Sequence, residues 1–163
     1  MIFLKKKIKI EPVFEKNEIS ISVDTESLKD ASFDLGKIVT LYIAAPNKEV
    51  KKICNVITKV FSQGGRSKLL ANKLIGEFHL NQDQAKKLAS HSLNFLSAKY
   101  REKRFLSIGI EKYKWSQSHK GCHDFLDNKV FSFRYPPISS EEGWRANPGE
   151  LANCTCIAAP EIE

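Results

Sequence analysis

Two short segments hold the residues best suited to chemistry. Residues 118–123 read Ser118-His119-Lys120-Gly121-Cys122-His123, and further along the chain comes Cys154-Thr155-Cys156. Zinc takes four nitrogen or sulfur ligands in a tetrahedron, commonly as pairs from two separate turns. His119 and Cys122 have the spacing of one such pair, and Cys154 and Cys156 supply a second, tighter one. His123 can replace a member of the first pair, although adjacent Cys122 and His123 are poorly spaced to face one ion together. The competing reading is a compact loop region whose cysteines pack unligated, as small hydrophobes. Spacing alone leaves both open.

Other chemistry has thinner support. Cys122 beside His123, or Cys154 with a distant histidine, could form a thiolate–imidazole pair, but no oxyanion-hole loop or third orienting residue accompanies either. A small basic nuclease would use His123 as general base, with Lys129, Arg134 or Arg145 stabilising phosphate charge. Lys5-Lys6-Lys7 and the group Lys99, Arg101, Lys103 and Arg104 are basic clusters, read either as solvated faces or as nucleic-acid contacts. His79 and His91 read as structural or exposed. Asp24, Asp30 and Asp34 are too scattered for a magnesium site, and neither a phosphate loop nor a dinucleotide fingerprint is present.

The elements that must position these groups follow from periodicity. Asn47 caps a helix in which Val50, Ile53, Cys54, Ile57, Val60 and Phe61 recur at three-and-four spacing, ended by Gly64-Gly65. A second helix begins near Ser67 and carries Ala71, Leu74, Ile75 and Phe78 on one face. A third starts at Asn81, with Gln84 completing a capping-box-like pair. It runs through Ala85, Leu88, Ala89, Phe95 and Leu96 towards Gly109. After Gly109 the period changes to two: Tyr113 and Trp115 alternate with lysines, and Phe131, Phe133 and Tyr135 share a parity. From Pro136 to Asn153 prolines and glycines mark loops. Leu41 to Ala45 is an apolar run that reads as strand or helix.

The expected fold class is α+β: a helical body of about three helices followed by a small loop-rich antiparallel β lobe. Residues 1–37 are expected to be an extended arm or short strands, residues 38–109 the helical region, and residues 110–163 the Cys/His-containing lobe. At 163 residues and 42% hydrophobic content, the chain is large enough to bury a core. Its net charge of +7 suits a nucleic-acid or acidic-protein partner. No run approaches the roughly 20 apolar residues needed to span a bilayer. The Met1 to Lys7 start lacks the order of a secretory signal, so a cytoplasmic protein without membrane contact is expected. Four cysteines are few for a disulfide scaffold.

The order Gly109-Ile110, Tyr113, Trp115, His123, Asn128-Lys129-Val130-Phe131, Pro136-Pro137, Asn147-Pro148-Gly149, Cys154-Thr155-Cys156 and Ala159-Pro160 resembles the phage Mu F-like head morphogenesis family. The layout of the helices upstream extends the resemblance over about residues 38–160. No single piece is specific; the order of many small pieces is. The chain departs from the family pattern in four places, one of them a shorter stretch between Trp115 and His123. Leu88-Ala89-Ser90-His91-Ser92 stands where the third helix of the family often reads Ile-Ala-Arg, then an acidic residue or Thr, then Glu or Gln. The Gly-Lys turn is Asn128-Lys129, and Thr155 stands where an arginine is common.

The resemblance implies a minor head (capsid) protein of a tailed phage or prophage, non-enzymatic and acting in head morphogenesis near the portal. Its implied partners are phage portal or capsid proteins and the DNA entering or leaving the head. The implied locations are the bacterial host cytoplasm during assembly and then the virion head. The family's late Cys/His constellation, a candidate structural zinc site, maps onto His123, Cys154 and Cys156, completed by His119 or Cys122. The nuclease-like toxin using His123 is the alternative.

Overall fold

The computed structural model describes residues 31–162. The first thirty residues of the expected arm or strands, with the Lys5-Lys6-Lys7 cluster, lie outside them. Among the described residues the chain forms four helices followed by a three-stranded antiparallel sheet, the α+β arrangement expected.

Helix α1 spans Ser32–Tyr42, α2 Asn47–Ser62, α3 Ser67–Phe78 and α4 Gln82–Ser107. Helix α1 corrects the expected boundary: the helical region opens at Ser32 rather than at residue 38. Leu41 and Tyr42 end that helix, and Ile43 is already extended. The reason is tertiary. Leu35, Ile38 and Val39 are buried in the core shared with α2, α3 and α4, which supports a helix whose own sequence gives a weak periodic signal.

Of the other three helices only α4 has a side-chain cap: Asn47, expected to cap α2, is instead its first helical residue, and α3 follows Arg66 without one. Pro46 is extended before α2, and Asn81 accepts a hydrogen bond at its side chain from the Gln84 amide at 2.9 Å. Ile53, Ile57, Leu70, Leu74, Leu88 and Leu96 fill the body's core, each fully removed from water or nearly so. Burial of such a side chain stabilises the fold by roughly 1.5–3 kcal/mol.

Strand β1, Lys112–Ser116, is the centre of the sheet, flanked by β2, Val130–Ser132, and β3, Ile157–Pro160. Tyr113 lies opposite Phe131 on one side and Pro160 on the other, and Trp115 lies opposite Ala158. The alternation read from Lys112 to Ser116 is real: Tyr113 and Trp115 are buried and the residues between them exposed. The longer alternation from Val130 to Tyr135 is not. The strand stops at Ser132, whose carbonyl accepts from the Tyr135 amide in a tight turn, so Phe133 is buried while Tyr135 is 80% exposed.

Helix α4 joins the two parts. Its first turns pack in the helical core, while Phe105 and Leu106 near its end pack against the lobe core of Tyr113, Trp115, Leu126, Phe133, Cys154, Cys156 and Ala158. Polar contacts reinforce the junction. The Asn94 side-chain amide donates to the Cys154 carbonyl, and Lys99 Nζ lies 2.6 Å from a Glu150 carboxylate oxygen.

Buried His91 links three segments at this junction. The Tyr42 hydroxyl lies 3.0 Å from its Nδ1, and its Nε2 lies 3.1 Å from the Glu150 carbonyl. A neutral ring satisfies both, donating from Nε2 and accepting at Nδ1. Burial holds the pKa of His91 below its ordinary value, partly offset by the Glu150 carbonyl. The folded state therefore favours neutral imidazole. Its stabilisation is complete above the unfolded value of about 6.5 and is lost as pH falls through the lower folded value. The thermal midpoint is expected to drop between pH 7.5 and pH 5, and His91→Gln to flatten that part of the curve. Identical pH profiles for the two proteins would refute the assignment.

Candidate metal centre

Four ligand atoms from two separated segments meet inside the lobe. Cys122 Sγ, His123 Nδ1, Cys154 Sγ and Cys156 Sγ all lie within 4.8 Å of one another. His123, Cys154 and Cys156 are buried and Cys122 is half-buried.

The first segment is the loop between β1 and β2. Gly121 adopts a positive φ of 90° and its amide donates to the Asp124 carboxylate at 2.7 Å, which folds the backbone tightly just ahead of Cys122. Asn128, also at positive φ, closes the loop by donating its amide to the Trp115 carbonyl. Within this turn consecutive side chains do not diverge as they would in a strand. Both Cys122 and His123 face the cluster, correcting the expectation that adjacent residues could not share it.

The second segment runs from Gly149 into β3. Asn153 is left-handed, and beyond it the chain is extended, so Cys154 and Cys156 point inward while Thr155 points to solvent. The one-residue gap that looked too tight for a knuckle is the spacing an extended backbone needs to put two thiols on one face.

The distances fit a tetrahedral ion. With metal–sulfur bonds of about 2.3 Å and metal–nitrogen bonds of about 2.0–2.1 Å, the edges of a tetrahedron are about 3.8 Å between sulfurs and about 3.5 Å from sulfur to nitrogen. Cys122 and Cys156 sulfurs are 3.5 Å apart, and His123 Nδ1 lies 3.1, 3.7 and 3.5 Å from the sulfurs of Cys122, Cys154 and Cys156. The surroundings suit a metal-ligand role for the histidine and the thiols. His123 Nε2 donates to the Ser139 carbonyl at 3.0 Å, which leaves Nδ1 as the bare nitrogen facing the sulfurs. The Gly149 amide donates to Cys154 Sγ at 3.3 Å.

Without a cation, burial favours the neutral thiols. Burial pushes the Cys154 thiol up to about 12, against the amides of Gly149 and Cys156, which favour its thiolate. Burial likewise raises Cys122, with neighbouring Cys156 adding to the effect. A divalent cation supplies the opposing charge that converts such buried thiols to thiolates. These four residues can hold a metal ion.

The remaining site residues fall elsewhere. His119 is exposed, its Nδ1 near Ser118 Oγ and Thr155 Oγ1, and it is not one of the four. Trp115 packs its ring 5.1 Å from that of His123, and its amide donates to the Lys129 carbonyl. Phe131 packs against the lobe core. The Pro136 carbonyl accepts from the Arg145 guanidinium and the Pro137 carbonyl from the Ala146 amide, holding a hairpin-like loop over Ser139. Pro148 is fully buried.

Two residues escaped the sequence reading as parts of the centre. Gly149 stood out as a turn, and its φ of 88° and close approach to Cys156 and Ala98 suit glycine, but nothing local shows its amide reaching a sulfur. Ser139, which orients the histidine, has no sequence signal at all.

Of the residues named for the nuclease alternative, Lys129 is exposed. His123 is 8% exposed with Nδ1 turned to the sulfurs, while Arg134 pairs with Glu111 and Arg145 with the Pro136 carbonyl. The four basic residues named on α4 differ in their surroundings. Lys99 is bound by Glu150 and Glu102, Arg101 is half-buried, and only Lys103 and Arg104 are exposed. Among the described residues no helix is long and apolar enough to cross a membrane.

No family model and no solved structure matches the chain. It is similar to an uncharacterized protein of Haemophilus influenzae, 25% identical over 116 residues that cover 69% of this chain and 25% of that protein. It is also similar to an ATP synthase subunit alpha of Ureaplasma parvum, 29% identical over 122 residues that cover 75% of this chain and 13% of that one. The chain thus spans a quarter or less of the length of these curated relatives.

Proposed function

We propose that this chain is a minor head protein of a tailed phage or prophage, acting in head morphogenesis near the portal, with a β lobe held together by a structural zinc ion. The observation that carries the reading is the convergence of Cys122, His123, Cys154 and Cys156. Three of them are the late Cys/His positions of the head-morphogenesis resemblance, and Cys122 completes the set. Three thiolates and an imidazole in a tetrahedron select zinc. Four protein ligands leave no open position, so the ion serves structure rather than catalysis.

When bound, zinc supplies a cross-link between the β1–β2 loop and the segment leading into β3. The chain's own residues do the rest: Ser139 orients His123, Gly149 supports Cys154, and Trp115 covers the histidine ring. A lobe clamped in this way and braced on α4 suits an assembly part that must keep its shape while it binds portal or capsid proteins. It acts first in the host cytoplasm and then in the virion head.

The test is co-expression with the portal and major capsid proteins of a tailed phage. The chain is expected to sediment with head particles in low copy, and its deletion to reduce the yield of filled heads. Normal heads without it, and no association with the portal, would refute the head-assembly reading and leave the metal centre standing.

A further inference from the structure

Helix α2 presents a second surface that the metal centre does not use. Its buried face is Val50, Ile53, Ile57 and Val60. The opposite face carries Lys48, Lys51, Lys52, Asn55 and Lys59, all exposed. At 3.6 residues per turn these five positions fall within an arc of about 100°, and Lys48 to Lys59 extends about 16 Å along the axis. The single acid of the helix, Glu49, lies on the flank of this stripe. Among the described residues none of the four lysines has a carboxylate within ion-pair distance. The contrast with α4 is instructive, because there Lys87 is paired with Asp83 and Lys99 with Glu102 and Glu150. Arg66 and Lys68, both exposed, follow at the end where the chain turns into α3.

We infer that the Lys48–Lys59 face of α2 binds the phosphate backbone of duplex DNA without reading its sequence. An uncompensated row of cations along a straight rod matches a polyanion. Duplex DNA presents one charge per roughly 1.7 Å of axis, so the stripe spans on the order of ten phosphates. The side chains choose among nucleic acids. Single strands are held by aromatic residues on which bases stack, and the exposed positions of this face carry none. Its cations are all lysine, which meets phosphate as a point charge rather than through a bidentate fork suited to base edges. The inference stands on α2 alone and is independent of both the metal centre and the head-assembly reading.

The experiment is fluorescence anisotropy of the full chain with a labelled 20-base-pair duplex across a salt series, with polyglutamate as competitor. Four phosphate contacts predict a slope of log affinity on log salt near −3.6, a loss of roughly 150-fold between 50 and 200 mM salt. Replacing Lys48, Lys51, Lys52 and Lys59 together by glutamine keeps the helix propensity and is expected to abolish most of that slope. The pair Lys103→Gln and Arg104→Gln is expected to leave binding unchanged. Two duplexes of unrelated sequence are expected to bind alike. Absence of binding at 50 mM salt overturns the inference. So does undiminished binding by the glutamine variant, whose fold is checked by circular dichroism. Polyglutamate displacing DNA at equal charge concentration would assign the face to an acidic protein instead.

Discussion

Cys154→Ser is expected to strip zinc from the chain and to unfold the lobe. Cys154 is the ligand with the deepest commitment to the centre: it is 2% exposed, accepts the Gly149 amide at sulfur, and donates its own amide to the Leu151 carbonyl. Serine offers a hard oxygen too short to reach the same point, and the other ligands are left buried around an incomplete site. Structural zinc contributes about 10–16 kcal/mol of apparent binding energy in isolated fingers. Losing one ligand is expected to cost about 3 kcal/mol or more of that. For a chain of this size each kcal/mol moves the midpoint by roughly 2–4 °C, so a fall of at least about 6 °C follows. Elemental analysis of the wild-type chain is expected to find one zinc per chain, removed by chelator with the same fall in midpoint.

Two controls separate this from general damage. His119→Ala and Cys54→Ser both change residues outside the four and are expected to keep the ion. A wild-type chain purified without zinc, whose melting chelator leaves unchanged, would overturn the centre. Full zinc content in Cys154→Ser would move the site elsewhere.

Trp115→Ala is expected to cost about 3–5 kcal/mol, the usual range for deleting a buried aromatic. The indole is 1% exposed on the central strand and contacts the rings of Tyr113, Phe131 and His123. Its removal leaves a cavity between the sheet and the histidine ligand, so zinc affinity falls along with stability. Trp115→Phe separates packing from polarity. Indole Nε1 is buried without a hydrogen-bond partner, so phenylalanine removes that penalty while leaving a smaller void. The phenylalanine variant is expected to retain zinc and to lose well under half as much stability, measured by denaturant unfolding. A cost below about 1 kcal/mol for the alanine variant would show that the lobe does not depend on this ring.

The helical body and its three later helices were legible because each signal is local. Val50 to Phe61 repeats at helical spacing, Asn81 caps α4 three residues before Gln84, and Tyr113 and Trp115 alternate as a half-buried strand must. Such patterns depend only on residues within one or two turns of each other. Helix α1 was missed because its stability comes from Leu35, Ile38 and Val39 packing on distant helices. Strand β3 was missed because its backbone pairs with β1, more than forty positions upstream.

The candidate metal centre divides along the same line. Cysteine and histidine types announced a thiol–imidazole site, and four of the five residues named for it converge. Which four was undecidable from spacing. The turn at Gly121 brings adjacent Cys122 and His123 to one point, while His119 swings out to Thr155. Charge behaves likewise. Lysines on α4 and α2 look equivalent along the chain, yet Lys99 meets Glu150 only because the lobe folds back onto α4, whereas the α2 row meets no acid among the described residues. Residue type and local period set the elements and the available chemistry. The meeting of groups far apart in the chain depends on how those elements pack, which only the folded molecule specifies.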